Sequence, residues 1–347
     1  MLPTKAYAAF NSTTPLAPWN FERRNPGPND VQIQILFCGV CHTDIHQARN
    51  EWGGSVYPLV PGHEIIGRVI YTGNQVQKFK PGDFAGVGVF VNSCRVCSNC
   101  KKGLEQYCKY GAAFTYNSTE RDGKTRTYGG YSNQIVIDEN YVLHISDKLD
   151  LEKTAPLLCA GITTYSPLRN WEISNGHKVG VMGLGGLGHM AVKFAVSFGA
   201  EVSMLSTSPS KEADAKRLGV HKFILTIDEN EVNDVKEYFD FIIDTVSAPH
   251  SYDKTIKMLN TDGTLICVGI PPEPMELETS LLIGNRRRVA GSMIGGIAET
   301  QEMLDYCAEK NITSDVEVIS INKINEAYDR MLKSDVRYRF VIDMATL

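Results

Sequence analysis

The sequence predicts an α/β protein of two domains, one rich in β-strands and one built on a doubly wound parallel sheet. Residues up to about 150 alternate short apolar segments with turns rich in Pro, Gly and Asn, whereas later residues alternate strands with helices. At 347 residues the chain is also too long for one ordinary hydrophobic core. We therefore expect one domain from 1–150 together with 292–347, and a second from 151–291.

The composition restricts the classes of function. A hydrophobic content of 43% and a charged content of 22% are typical of a globular protein. The formal net charge of -5 argues against a nucleic-acid partner, because phosphates repel such a surface. The basic run Arg286 to Arg288 is expected to be a solvated strand or turn. No segment approaches the roughly 18 consecutive apolar residues of a membrane helix, and the first residues do not resemble a signal peptide. We expect a cytoplasmic protein with no membrane partner.

The first domain should be a partly open β-barrel. A turn at Pro26 to Asp30 precedes Val31 to Ile35, where apolar residues occupy every second position. Similar strands are predicted at Gly67 to Tyr71, Asp83 to Val91 and Gln134 to Asp138, and turn signals separate them. This succession of short strands favours a barrel.

Four cysteines in one polar loop predict a structural metal site. Their spacing is Cys94-x-x-Cys97-x-x-Cys100-x7-Cys108, which lets one loop surround one ion. The alternative, four unrelated thiols, is disfavoured because a loop with Lys and Asn offers no core in which to bury them.

A second set of thiol and imidazole side chains predicts a catalytic zinc site. Cys41 and His63 supply ligand types that zinc prefers, and a catalytic site needs three protein ligands and one open position. Cys159, in Leu158-Cys159-Ala160-Gly161, is the candidate for the third ligand. Taken singly, each residue could instead be a buried thiol or a hydrogen-bonded histidine.

The second domain carries a turn that is typical of dinucleotide binding. The buried strand Lys178 to Met182 ends in Gly183-Leu184-Gly185-Gly186-Leu187-Gly188, and an apolar helix follows. The glycines let the backbone approach a pyrophosphate, and the helix N-terminus offers unpaired amides to hold it. A flexible glycine turn is the alternative. Further strands, which complete a parallel sheet, are predicted at Glu201 to Leu205, Phe223 to Thr226, Asp240 to Thr245 and Thr264 to Ile270.

The end of the second strand of this sheet predicts NADP(H) rather than NAD(H). An enzyme that prefers NAD places Asp or Glu there, on the ribose hydroxyls. Here the strand is followed by hydroxyls and an ammonium, which can bind a 2'-phosphate; the predicted pocket is Ser206, Thr207, Ser208 and Lys211. The Ser-Pro-Ser segment could also cap the next helix, and both roles are compatible.

The segment Gly62-His63-Glu64-x-x-Gly67-x5-Gly73-x-x-Val76 resembles the zinc signature of the medium-chain alcohol dehydrogenases. Cys41-His42-Thr43-Asp44 and Cys159 extend the resemblance, which covers nearly the whole chain. Its nearest branch is the cinnamyl alcohol dehydrogenase group, which is similar in Asn50-Glu51-Trp52-Gly53, in 159–165 and in the serine-rich loop. The resemblance implies a GroES-like catalytic domain, a Rossmann cofactor domain, two zinc ions per chain and a homodimer that joins two sheets.

The resemblance also implies roles for individual residues. Cys41, His63 and Cys159 would hold the catalytic zinc, Glu64 could approach it, and Asp44 would orient the imidazole ligand. Thr43 and His46 match the proton relay of the family. Further cofactor contacts are expected at His42, Thr163, Ser292 and Arg339, and an apolar substrate pocket at Trp52, Phe90 and Phe114.

The expected reaction is reversible hydride transfer between NADPH and aromatic or medium-chain aldehydes. Phe114 stands where the plant enzymes tend to carry Trp, so a broad aldehyde reductase is favoured over a strict cinnamyl enzyme. The alternatives are a polyol or formaldehyde-type zinc dehydrogenase, a zinc-independent quinone reductase-like relative and a non-enzymatic NADPH sensor. Cys38, Cys267 and Cys307 are expected to be packed thiols.

Overall fold

The computed structural model describes all 347 residues, and its chain divides into two compact units. The first comprises Met1–Ile162 and Gly295–Leu347, and the second comprises Thr163–Ile294. None of the helices has the length and apolar character that a membrane crossing requires.

The chain contains seventeen strands and ten α-helices. The strands are β1 (Leu2–Ala8), β2 (Ala17–Arg23), β3 (Asp30–Gly39), β4 (Ile65–Thr72), β5 (Phe84–Val87), β6 (Phe90–Asn92), β7 (Ala113–Phe114), β8 (Gln134–Asp138), β9 (Leu143–His144), β10 (Lys178–Met182), β11 (Glu201–Ser206), β12 (Lys222–Leu225), β13 (Phe239–Asp244), β14 (Leu259–Cys267), β15 (Arg288–Gly291), β16 (Val316–Ser320) and β17 (Arg339–Asp343). The helices are α1 (His42–Ala48), α2 (Leu151–Thr154), α3 (Ala160–Asn170), α4 (Gly188–Ser197), α5 (Glu212–Arg217), α6 (Glu229–Asp234), α7 (Tyr252–Met258), α8 (Ser280–Gly284), α9 (Ile297–Lys310) and α10 (Ile324–Leu332).

A mixed sheet forms the frame of the first unit. Its strand order is β16-β17-β3-β4-β5-β9, and β8 also pairs with β3. β3 is the central strand, and its buried residues Val31, Ile33 and Ile35 lie in the core, as the alternating pattern of the sequence predicts. In the antiparallel pair of β3 and β4, Cys38 faces Ile65, which brings the residues after β3 beside those before β4.

The prediction of one continuous strand from Asp83 to Val91 is wrong, because β5 and β6 are separate strands. Thr115 explains the break: its hydroxyl donates to the Gly88 carbonyl and its amide to the Val89 carbonyl. Residues 88 and 89 therefore bond to the loop after β7 instead of extending β5.

A six-stranded parallel sheet forms the frame of the second unit, in the order β12-β11-β10-β13-β14-β15. Val179, Val202 and Ile242 are fully buried in it, as expected for a sheet covered on both faces. β10 and β13 lie where the strand order reverses, which is the usual ligand position in doubly wound sheets. The predicted α/β class, a β-rich domain with a doubly wound parallel domain, is confirmed.

Two predictions about the second unit need correction. The strand expected to reach Ile270 ends at Cys267, because the amides of Val268 and Gly269 donate to the Asp244 carbonyl. Arg287 is not solvated: its side chain is buried and donates to the carbonyls of Leu259 and Leu281 at 2.8 and 3.2 Å.

Candidate active site

The ends of β3, β4 and a short helical turn position four potential metal ligands in the first unit. Cys41 is the N-cap of α1, directly after β3, and His63 and Glu64 immediately precede β4. Cys159 follows the 3-10 turn Ala155–Leu158. Gly39 is required here, because a Cβ at this position would lie 1.9 Å from a Glu64 carboxylate oxygen.

The four side chains converge. One ligand atom from each of Cys41, His63, Glu64 and Cys159 lies within 4.8 Å of all the others, and all four residues are buried. The sulfurs of Cys41 and Cys159 are 3.9 Å apart. Two zinc–sulfur bonds of about 2.3 Å at a tetrahedral angle would place the sulfurs about 3.8 Å apart. The residues present therefore fit a zinc ion.

Asp44 joins the chain segments that carry these ligands. Its carboxylate is fully buried and accepts from the amides of Cys41 and Gly62 at 2.9 and 3.0 Å. The Tyr131 hydroxyl donates to it at 3.2 Å, and His63 Nδ1 lies 3.2 Å from it. Four donors fill the acceptor sites of one carboxylate. Because Nδ1 faces Asp44, Nε2 of His63 is the nitrogen that is left for a metal.

The electrostatics of the cluster favour a thiolate at Cys41. A hydrogen bond from Cys159 lowers the pKa of the Cys41 thiol well below its usual value despite burial, and the positive charge of Arg339 acts in the same direction. The same contact with Cys41, together with burial, raises the pKa of Cys159. Cys41 is thus the sulfur that ionises first, and a thiolate is the form that binds metal.

Glu64 forms a buried ion pair with Arg339. Arg339 Nη1 lies 3.5 Å from Glu64 Oε1, and the exposed fractions of the two side chains are 4% and 0%. Neither Glu64 oxygen accepts a hydrogen bond. Burial raises the pKa of Glu64 to about 7, although the charge of Arg339 opposes this. Because the Glu64 oxygens accept no hydrogen bond, their lone pairs remain available to a metal ion at the cluster.

Helix α1 carries the predicted relay residues. Thr43 and His46 are three residues apart and so lie on one side of the helix. The His46 ring contacts the Glu51 carboxylate through Nδ1 and stacks on Trp52, with 4.7 Å between ring centroids. Sequence reasoning missed Glu51. Its only signal was an acid in the turn after α1, and spacing alone does not predict that contact.

The cysteine loop forms a second cluster in the first unit. Cys94, Cys97, Cys100 and Cys108 place their sulfurs within 4.8 Å of one another, and none forms a disulfide. Backbone amides point at these sulfurs; for example, the Cys97 amide lies 3.3 Å from the Cys94 sulfur. Amides of Cys100 and Lys109 lower the pKa of Cys97 to about 6, whereas burial raises that of Cys100 to about 11. Amides directed at sulfur stabilise thiolates, so this loop also fits zinc.

The glycine turn in the second unit is shaped for a pyrophosphate. Gly183 has a positive φ of 85°, and a Cβ at Gly188 would lie 1.8 Å from the Gly183 carbonyl oxygen. No atom lies within 4 Å of a Cβ built at Gly185, so its backbone faces open space. α4 begins at Gly188. The turn thus combines a tight bend, an open backbone and a helix N-terminus. Leu184, Gly186 and Leu187 complete it.

The end of β11 carries no acidic side chain. Ser206 is buried, and its hydroxyl accepts from the Ser208 amide at 3.1 Å. Thr207 and Ser208 follow, and Lys211 ends a 3-10 turn that begins at Pro209. Ser208 occupies the N-cap position without a capping side-chain hydrogen bond, so the capping alternative finds no support.

The remaining predicted residues are distributed between the units. His42 and Arg339 belong to the first unit, and Thr163 and Ser292 to the second. Phe90 and Phe114 are paired across β6 and β7, where Phe90 is buried and Phe114 is 42% exposed. The third aromatic, Trp52, lies against His46 instead.

Comparison with known proteins gives a consistent result. The family model "Alcohol dehydrogenase GroES-like domain" matches residues 27–147, and "Zinc-binding dehydrogenase" matches 186–309. Aldehyde reductase YahK of Escherichia coli is 53% identical over 345 residues, which is 99% of both chains. NADP-dependent alcohol dehydrogenase C of Mycobacterium bovis is 52% identical over 347 residues, all of both chains. The structure of CAD from Helicobacter pylori complexed with NADP(H) superposes with a TM-score of 0.93 at 44% identity, over 99% of each chain.

Proposed function

Because the chain belongs to the zinc-binding alcohol dehydrogenase family, we propose that it reduces aldehydes reversibly with NADPH at the cluster of Cys41, His63 and Cys159. The enzyme class, the zinc ions and the cofactor predicted from the sequence are confirmed by the family models and by relatives that align along the whole chain. The single observation that supports the site most strongly is the 3.9 Å separation of the Cys41 and Cys159 sulfurs beside His63.

Each part of the cluster has a chemical task. When bound, zinc supplies Lewis acidity toward a carbonyl oxygen, and NADPH supplies the hydride. Cys41, His63 and Cys159 hold the metal, and Asp44 fixes the orientation of the His63 ring. Arg339 keeps the buried charge of Glu64 paired, so that Glu64 can stay close to the cluster without binding it permanently.

The proton of the alcohol travels along helix α1. Thr43 supplies a hydroxyl, and His46 supplies an imidazole that can pass a proton between that hydroxyl and solvent. The Glu51 carboxylate contacts His46 Nδ1 and stabilises the charged ring whenever it holds the proton. Both ends of this contact are partly exposed, at 25% and 41%, so the proton has a path to water.

The substrates are aromatic or medium-chain aldehydes. Trp52 and Phe114 provide exposed apolar surface for them, and the buried Phe90 lies opposite Phe114 across β6 and β7. Polyols would need hydrogen-bonding partners that three aromatic rings do not offer. The Ser206, Thr207, Ser208 and Lys211 pocket binds the 2'-phosphate, because no carboxylate at the end of β11 repels it. His42, Thr163 and Ser292 complete the cofactor contacts, and Arg339 adds a positive charge.

Association and location are part of the same proposal. β15 is the edge strand of the parallel sheet, and Ile270, Ile283 and Met293 near it are exposed. An open edge with apolar neighbours suits pairing with the same edge of a second chain, as a two-fold dimer requires. The protein then acts as a cytoplasmic homodimer. We place the metal in the domain predicted at 1–150 with 292–347 and the cofactor turn in the domain predicted at 151–291. Cys159 requires the first domain to extend to the unit Met1–Ile162, because it belongs to the metal cluster.

A substrate panel tests the proposal. The zinc-loaded protein is assayed for oxidation of NADPH and of NADH with cinnamaldehyde, benzaldehyde and hexanal. Formaldehyde and a quinone serve as alternative acceptors, and oxidation of mannitol with NADP is followed separately. Faster NADPH oxidation with the three aldehydes supports the proposal. Preference for formaldehyde, mannitol or the quinone would favour the corresponding alternative, and no turnover with any of them would favour a sensor.

A further inference from the structure

The loop after β13 folds back on the strand that precedes it. β13 ends at Asp244, and the loop runs through Thr245 to His250 before α7 begins at Tyr252. Asp244 is buried, and its Oδ1 accepts from the Val246 amide at 3.0 Å. His250 returns to the same carboxylate, with Nε2 at 3.1 Å from Oδ2. One buried acid therefore holds both ends of the loop.

The surroundings of His250 suit a charged ring. Nδ1 lies 2.9 Å from the Ala248 carbonyl oxygen, while Nε2 faces the Asp244 carboxylate at an ion-pair distance. Neither partner can donate a proton to the ring, and a neutral imidazole carries only one N–H. Nε2 makes no hydrogen bond, so its contact with Asp244 is an ion pair, and only the imidazolium can both donate Nδ1–H to Ala248 and carry a positive charge toward Asp244. The contact with Asp244 raises the pKa of His250 despite partial burial.

The loop supports the dinucleotide turn. The Thr245 hydroxyl donates to the Met182 carbonyl at 2.7 Å, directly before Gly183. A Cβ at Gly183 would lie 2.8 Å from Val246, and one at Gly188 would lie 3.3 Å from the Thr245 hydroxyl. The Thr245 hydroxyl also lies 3.2 Å from the Gly183 carbonyl oxygen, so Thr245 and Val246 support the glycine turn from one side.

We propose that His250 is a positioning residue for NADP(H) binding. In its imidazolium form, His250 holds the 244–250 loop in place behind the Gly183–Gly188 turn. This inference rests on the proposed cofactor function. When His250 loses its proton, its contacts with Asp244 and Ala248 weaken, and the turn loses part of its support. NADPH affinity therefore falls as the pH rises through the pKa of His250, and is highest below it.

The other groups near His250 leave Asp244 as its one charged neighbour. The Tyr252 ring lies 4.5 Å from the His250 ring, and Cys267 ends the adjacent β14. Burial raises the pKa of Tyr252 and that of Cys267 to about 12 each, so both are neutral at physiological pH.

The test measures the Kd of the zinc-loaded protein for NADPH, by cofactor fluorescence, between pH 7 and 9. The 2'-phosphate, with a second pKa of about 6, is about 90% or more dianionic in this range, so its own titration changes the Kd little. The wild-type Kd should rise about three- to tenfold, which corresponds to a change of half to one unit in the His250 pKa on binding. His250→Asn should already bind weakly at pH 7 and show little dependence on pH. His250→Arg, which keeps a charge, should also be independent of pH but bind more tightly than His250→Asn.

A second histidine provides the control. His221 accepts one backbone amide through Nδ1 and has no acidic partner, so His221→Asn should keep the wild-type pH profile. The proposal is overturned if His250→Asn binds NADPH like the wild type at pH 7 and retains its pH profile. If the variants do not fold, hydrogen exchange of the wild-type protein tests the proposal instead. The protection factors of the Thr245 and Val246 amides must then fall between pH 7 and pH 9. Absence of NADPH binding by the wild type at every pH would instead refute the proposed function.

Discussion

Arg339 Nη1 lies 3.5 Å from Glu64 Oε1 in the buried interior of the first unit, next to the Cys41 and Cys159 sulfurs. The same guanidinium donates to the Val40 carbonyl at 3.2 Å. Arg339 thus links β17 to the segments that carry two of the metal ligands. Its positive charge offsets part of the negative charge that two thiolates and a carboxylate bring to one buried place.

Removal of Arg339 should therefore destabilise the protein through Glu64. Arg339→Met leaves a buried carboxylate unpaired, and we expect the free energy of unfolding to fall by about 3 to 5 kcal/mol. The double variant Arg339→Met/Glu64→Gln removes that charge as well and should regain a large part of the loss. Urea unfolding of the zinc-loaded proteins measures both. Glu64→Gln alone is measured as well, and if the losses of the two single variants simply add in the double variant, the two side chains are not coupled.

Asp44 should control zinc affinity without touching the metal. Asp44→Asn keeps the size of the side chain but replaces one acceptor oxygen by a donor, which then faces donors. We expect zinc affinity at the Cys41 cluster to fall by about 10- to 100-fold in chelator competition. Tyr131→Phe is the matched control: it removes one of four donors and should cost less than about tenfold. Equal zinc retention by Asp44→Asn and the wild type would refute this role.

The cysteine loop should stabilise the start of α9. The Glu105 carboxylate accepts from the Ile297 amide at 3.2 Å, and the Cys108 amide donates to the Glu105 carbonyl at 3.0 Å. Cys108→Ser should reduce zinc from two ions per chain to one and increase hydrogen exchange at the first turn of α9. Cys307→Ala, at a buried thiol outside both clusters, should keep two ions. Unchanged exchange in a Cys108→Ser protein that holds one zinc would show that the loop and α9 are independent.

Lys211 should distinguish NADPH from NADH. We expect Lys211→Ala to weaken NADPH binding about 10- to 100-fold, the size of a lost charge-assisted hydrogen bond, and to leave NADH binding unchanged. Lys216→Ala serves as control, because Lys216 is exposed on α5 and pairs with Glu212 at 2.7 Å. The test compares the Kd values of the wild type, Lys211→Ala and Lys216→Ala for NADPH and for NADH. An equal loss for both cofactors would place Lys211 outside the phosphate pocket.

The relay should affect turnover but not metal. Thr43→Val removes the hydroxyl of α1 and should reduce kcat for aldehyde reduction by about 100-fold or more, within the range of general acid–base contributions. Zinc content should stay at the wild-type value, because Thr43 is not among the clustered ligands. A variant with normal kcat would exclude Thr43 from the proton path.

Much of this fold could be predicted because local patterns coincide with tertiary structure. The alternation in Val31 to Ile35 marks a half-buried strand, and the glycines from 183 to 188 follow a buried strand and begin a helix. The four cysteines of the loop lie within fifteen residues, so their convergence follows from spacing. For Cys159, 118 residues after Cys41, spacing alone could not show convergence, and the prediction depended on its ligand type, on its place in the chain and on the family resemblance.

What could not be predicted depends on contacts between distant segments. The break between β5 and β6 requires Thr115, the burial of Arg287 requires the carbonyls of Leu259 and Leu281, and the ion pair of Glu64 requires β17. The contact of Glu51 with His46 and that of His250 with Asp244 could not be predicted, because each depends on a turn whose geometry has no repeating pattern in sequence. Such contacts depend on tertiary packing, which overrides local preference.

The most direct test of the central claim is the zinc content of Cys159→Ser, measured together with NADPH-dependent reduction of cinnamaldehyde. We predict that this variant folds, keeps the zinc ion of the Cys94–Cys108 loop, loses the second ion and no longer reduces the aldehyde. A folded Cys159→Ser protein that still binds two zinc ions and reduces cinnamaldehyde at the wild-type rate would contradict the account.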